Sequence, residues 1–129
     1  MSGCADVCVY QDYDDIAEFS TARIVVARKA HTCCECRRQI ERGESYERAT
    51  GKGDFGFWSE PTCQTCVEIR KAFVCGSIFV LGMLWESVEE ELFPRWRTQG
   101  PFECLAKLTT PEAREYCQQR FAEWEADRA

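Results

Sequence analysis

The chain has 129 residues, of which 45% are apolar, 12% aromatic and 29% charged, with a formal net charge of −6. That length suits one compact domain with a hydrophobic core, and that composition excludes a wholly disordered chain. Ten cysteines are a large excess, which points either to an oxidised secreted scaffold or to a metal protein.

Residues 1–22 read as an acidic arm. Asp6, Asp12, Asp14, Asp15 and Glu18 meet no base before Arg23, and the arm carries Cys4 and Cys8. Neither a basic n-region nor an apolar h-region is visible, so the expectation is a cytoplasmic chain with reduced thiols. The longest apolar run, Phe73 to Trp85, is broken by Gly76 and Ser77. It is too short to cross a bilayer of ~30 Å, so no membrane partner is expected.

Residues 23–30 are rich in β-branched side chains and predict a strand. His31-Thr32-Cys33-Cys34-Glu35-Cys36 then reads as a tight knuckle. Residues 44–50 predict a second strand, Gly51-Lys52-Gly53-Asp54 a turn, and residues 55–59 a third strand. Alternation puts Phe55 and Phe57 on one face of that strand and Trp58 on the other. Cys63 and Cys66 lead into a short helix, Val67 to Phe73. A longer helix is predicted over about 77–92 from the stripe Ile78, Leu81, Trp85, Val88 and Leu92, with Pro94 ending it. The last helix starts at Thr110-Pro111, with Thr110 as N-cap and Ala113, Cys117, Phe121 and Trp124 as its buried stripe.

The spacing Cys33-x2-Cys36, 26 residues, Cys63-x2-Cys66 predicts one structural Zn²⁺. Each pair brings two thiolates together, and two pairs make the tetrahedral shell that zinc accepts. Ile40, Gly43 and Tyr46 after the first pair fit a knuckle that feeds a hairpin. The second pair sits at a helix start, where the dipole favours thiolates. The fold class is therefore α+β: the acidic arm 1–22, a zinc-binding treble-clef module 23–74 of knuckle, hairpin and helix, and a helical segment 75–129 packed on the module. Adjacent cysteines rarely both reach one metal, so Cys34 is expected to be packed beside the site rather than bound. His31, the one histidine, is expected to end a strand, with ligation as the alternative. Cys117 reads as a core residue. Cys4 and Cys8 could form a second site with Cys75 or Cys104, or remain free thiols.

Ala27 to Cys36, Ile40, Gly43 to Glu47, Gly51-Lys52, Thr62 to Cys66 and Ile69-Arg70 resemble a group of small zinc-knuckle proteins common in phage and prophage genomes. The likeness extends more loosely to Gly82–Glu86 and Cys104–Leu108. The resemblance implies zinc and a mobile-element origin, and no activity. The knuckle is also similar to those of LIM and related treble clefs, at the level of fold alone.

Four cysteine ligands close a zinc shell, and no nucleophile elbow, phosphate loop or second catalytic histidine accompanies them, so no enzyme is expected. Two binding readings remain. Residues 21–52 carry eight bases against four acids. Nucleic acid could meet Arg23, Arg28, Lys29, Arg37, Arg38, Arg42, Arg48 and Lys52, with the hairpin aromatics stacking, unless local pairing with Glu35, Glu41, Glu44 and Glu47 neutralises those bases. The preferred reading is capture of a host protein with a basic surface, as adaptor or inhibitor, by the acids at Asp12, Asp14, Asp15, Glu86, Glu89, Glu90 and Glu91.

Overall fold

The computed structural model describes residues 19–53, 56–74, 80–99 and 105–128, with Phe19, Ser20 and Gln99 as backbone only. The fold is mixed α+β. In chain order it runs β1 (Phe19–Val26), β2 (His31–Thr32), β3 (Gln39–Ile40), β4 (Ser45–Gly53), β5 (Gly56–Cys63), α1 (Gln64–Phe73), α2 (Leu84–Glu91), α3 (Phe93–Gln99) and α4 (Pro111–Ala126). An antiparallel sheet has the order β1-β4-β5, and β2 pairs with β3 as a separate two-stranded ribbon.

The first strand lies earlier than its composition suggests, at 19–26 rather than 23–30. The Ala27 N–H donates to the Glu44 carbonyl and the Gly43 N–H to the Ala27 carbonyl, both at 2.9 Å. Those bonds turn the chain, and Arg28-Lys29-Ala30 becomes the approach to β2. The hairpin tip also moves. Gly51, Lys52 and Gly53 stay in the ladder, opposite Trp58, Phe57 and Gly56. The Trp58 ring lies 3.9 Å from where a Gly53 Cβ would stand, so an aromatic covers a stretch that lacks side chains. Gly56, paired with Gly53 at the end of the ladder, takes φ 105°, which a glycine adopts without strain. Phe55 lies outside the described residues. Pro61 falls within β5, which an edge strand tolerates.

Of the helix expected over 77–92, residues 77–79 lie outside the described residues, and over the rest the helix is shorter. Residues 80–83 form a turn, with Gly82 at φ 86°, and the helix proper starts at Leu84. Its apolar stripe keeps Trp85, Val88 and Leu92 buried. Pro94 opens α3 rather than simply ending α2, because a helix's first turn has no use for a proline N–H. Phe93 and Trp96 of this helix are buried with Phe73, Phe121 and Trp124. Ring centroids 5.3–5.8 Å apart link Phe93 to Trp96, Phe121 and Trp124. This aromatic cluster is the core of the C-terminal part, and α1, which contacts β4, β5 and α4, joins it to the sheet.

Helix α4 starts where expected. Thr110 caps it, its Oγ1 accepting from the Ala113 N–H at 3.2 Å and donating to Glu68 Oε1 at 2.7 Å. The Glu68 carboxylate also accepts from the Thr110 N–H at 3.2 Å, so one residue of α1 seats the start of α4. Thr110→Ala removes the cap and the hydroxyl's bond to Glu68 together, and leaves the backbone bond to Glu68 in place. The expected cost is about 1–2 kcal/mol, read as a fall of about 4–8 °C in melting temperature, with Thr110→Ser recovering most of it.

Candidate metal centre

The knuckle is built by the β2–β3 ribbon, in which His31 faces Ile40 and Thr32 faces Gln39. At its tip the Cys33 N–H donates to the Arg38 carbonyl at 2.9 Å and the Arg37 N–H to the Cys33 carbonyl at 3.0 Å. Arg37 takes φ 69°, a left-handed conformation that costs a side-chain-bearing residue on the order of 1 kcal/mol. The tight loop turns the Cys33 and Cys36 side chains toward the end of β5. Cys63 is the N-cap of α1, and Cys66 lies in its first turn.

The four sulfurs, Cys33, Cys36, Cys63 and Cys66, all lie within 4.8 Å of one another. Cys36 Sγ and Cys63 Sγ are 3.8 Å apart. A tetrahedral centre with metal–sulfur bonds of ~2.3 Å has sulfur–sulfur edges of ~3.8 Å, so the cluster already has the size of a metal shell. Three N–H groups point at it. The Glu35 and Cys63 amides donate to Cys33 Sγ at 3.4 and 3.3 Å, and the Trp85 indole donates to Cys66 Sγ at 3.5 Å. Such donors stabilise thiolate over thiol.

Four thiols this close cannot all ionise on their own. Hydrogen bonds from Cys36, Cys63 and Cys66 hold Cys33 well below the ordinary thiol range, while hydrogen bonding with Cys33, Cys36 and Cys63 pushes Cys66 well above it. A divalent cation removes the conflict by compensating the charge that all four carry as ligands. The donor set is soft and all-sulfur, which suits zinc or iron.

Cys34 is not in the cluster. Its sulfur lies 3.3 Å from Thr62 Oγ1, its N–H donates to the Pro61 carbonyl at 2.8 Å, and burial pushes its thiol up to about 11. His31 is outside too, its ring 5.0 Å from that of Tyr46 with Nε2 at 3.4 Å from the phenol oxygen. Cys117 is buried on α4, and burial pushes it up to about 12. Cys4, Cys8, Cys75 and Cys104 lie outside the described residues, so a second site made by them does as well.

Two buried carboxylates tie the knuckle and hairpin to the helices. Glu35, inside the knuckle, accepts from the Leu84 N–H at 3.1 Å and so caps α2; burial raises its pKa. Glu47 on β4 meets Arg70 of α1 at 2.7 Å, with both side chains less than a tenth exposed. Sequence reasoning missed this pair. Its signal is that Arg70 falls on the same helical stripe as Cys66, Ile69 and Phe73, a position only an apolar or a paired residue can fill.

The other candidate residues scatter. Arg28, Lys29, Arg37, Arg42, Arg48 and Lys52 are exposed. Arg38 pairs with Glu44. Among the proposed acids, Glu86, Glu90 and Glu91 are exposed on α2, whereas Glu89 pairs with Arg120 at 3.0 Å. Arg120 also lies over the Trp85 ring, 4.6 Å from its centroid. Asp12, Asp14 and Asp15 lie outside the described residues. Among the described residues no helix is long and apolar enough to cross a membrane. Comparison of the chain with family models, with curated proteins and with solved structures finds no match in any of the three.

Proposed function

We propose that this chain is a non-catalytic, zinc-stabilised binding protein whose basic module, residues 23–52, contacts nucleic acid. Zinc is the reading that a set of four converging thiolates supports best. Four protein ligands leave such an ion no position for a reactive water, which supports binding over catalysis. The order of knuckle ribbon, hairpin and a helix that carries the second cysteine pair supports a treble-clef assignment for the module.

The observation that carries the nucleic-acid reading is the fate of the module's own acids. Glu35 turns inward to the α2 amide, and Glu47 turns inward to Arg70 of α1. Glu44 is taken by Arg38, Glu41 stays exposed, and Arg38 is the one base of residues 21–52 in an ion pair among the described residues. The surface of the module is therefore more positive than its composition. The chain's net charge of −6 resists non-specific association, but segregated charge still orients an encounter.

Host-protein capture remains the second reading, supported by the exposed Glu86, Glu90 and Glu91 on α2 and by the likeness to phage and prophage proteins. A reducing bacterial cytoplasm suits both. Zinc-loaded protein is expected to shift labelled DNA or RNA at low salt, with affinity falling steeply as salt rises. Reversing Arg37, Arg38 and Arg42 to glutamate should weaken that shift, and reversing Glu86, Glu90 and Glu91 to lysine should not. Absence of any shift at low salt, with a purified basic partner lost on reversing the acids, would replace the first reading with the second.

A further inference from the structure

The two faces of the β1-β4-β5 sheet differ in what they hold. Register and strand alternation place Arg23, Arg48, Thr50, Lys52, Phe57 and Ser59 on one face. Ala49, Gly51 and the inward-turned Glu47 belong to the other face and are buried. The first face carries no acid among its described residues. Arg23 lies directly opposite Arg48, and Lys52 directly opposite Phe57. Like charges in direct cross-strand register destabilise a sheet, so folding gives no reason for the arginine pair, whereas an anion held between the two relieves the repulsion. Arg48 runs along the face, its Nε donating to Ser59 Oγ at 3.3 Å. Phe57 is 81% exposed, a large apolar surface in water beside Lys52 and on the same face as Arg23 and Arg48.

We propose that this face binds single-stranded nucleic acid, one base stacking on the Phe57 ring while phosphates lie against Lys52 and between Arg23 and Arg48. The inference rests on the nucleic-acid reading above and narrows it. Every base has a π-face, so stacking on one aromatic recognises unpaired strands with little sequence preference. A base within a duplex keeps both faces stacked on its neighbours and has none to offer Phe57. A duplex would meet the cations alone.

The test is fluorescence anisotropy of the full zinc-loaded chain with a labelled oligothymidylate and with a duplex of the same length, at low and at physiological salt. The single strand is expected to bind more tightly than the duplex by about 10-fold or more, and Phe57→Ala should lose about 10-fold or more on the single strand alone. Phe57→Trp should retain binding. Replacing Arg23 and Arg48 with glutamine should lower the salt slope on the single strand by roughly 1.4. Phe57, Arg23 and Arg48 are exposed, so zinc content and melting temperature should stay near those of the parent. Equal binding of the duplex, with no response to Phe57→Ala, overturns the single-strand assignment and leaves nucleic-acid binding standing. No binding of either oligonucleotide at low salt overturns both.

Discussion

Cys63→Ser is expected to abolish metal binding and unfold most of the chain. Cys63 is fully buried and caps α1, its sulfur 3.8 Å from that of Cys36 and its N–H bonded to Cys33 Sγ. It therefore holds the knuckle, the end of the hairpin and the start of the helix at one point. A structural zinc site contributes on the order of 10 kcal/mol to folding, comparable with the whole stability of a typical domain. Loss of one thiolate from four removes most of that. Elemental analysis of the parent should find one zinc per chain. Chelator treatment of the parent should reproduce the circular-dichroism spectrum of the variant, and acid should do the same as protons compete for the thiolates. Cys34→Ala is the informative control, because it changes the adjacent cysteine without touching the cluster. It should keep its zinc, as should Cys117→Ala. A Cys63→Ser protein that melts like the parent would falsify the structural role of the site.

The next largest effect is expected at Glu47 and Arg70. Arg70→Ala strands the Glu47 carboxylate in the interior, and removing one partner of a buried pair costs about 3–5 kcal/mol. At this chain length that corresponds to roughly 12–20 °C in melting temperature. The reason is desolvation: the carboxylate has lost its water, and the guanidinium 2.7 Å away is the charge that compensates it. Replacing both residues together, Glu47→Leu with Arg70→Met, should recover most of the loss, since apolar groups of similar volume leave no charge stranded. Zinc content should be unchanged in every variant, which separates this effect from that of the cysteines. A single variant within about 1 kcal/mol of the parent would mean that solvent or another group serves Glu47, and that the sheet and α1 are joined by apolar packing alone.

The features legible in the sequence are those written over short spans. The paired cysteines mark the two halves of the cluster because each Cys-x2-Cys acts through its own turn. Thr110-Pro111 marks a helix start because cap and first turn are neighbours. The stripe Ala113, Cys117, Phe121 and Trp124 reads correctly because one helical period decides it. Gly51 to Asp54 misleads because such a run permits several turn positions. The ladder to β5 and the Trp58 ring choose among them, and both arrive from further along the chain. The expected helix misleads differently over residues 80–83, since a segment apolar on nearly every side fits a helix without requiring one. Its observed start depends on Gly82 and on Glu35, 49 residues earlier.

Charge shows the same division. The sequence by itself determined how many acids and bases each segment carries, and that the four paired cysteines offer a metal four ligands. Only the tertiary structure decided that Glu35 and Glu47 face inward, that Glu89 is held by Arg120, and that Arg23, Arg48, Lys52 and Phe57 share one sheet face. A carboxylate's partner is set by burial and by strand register, which bring together residues far apart in the chain. Composition counts a charge the same whether it meets solvent or a guanidinium.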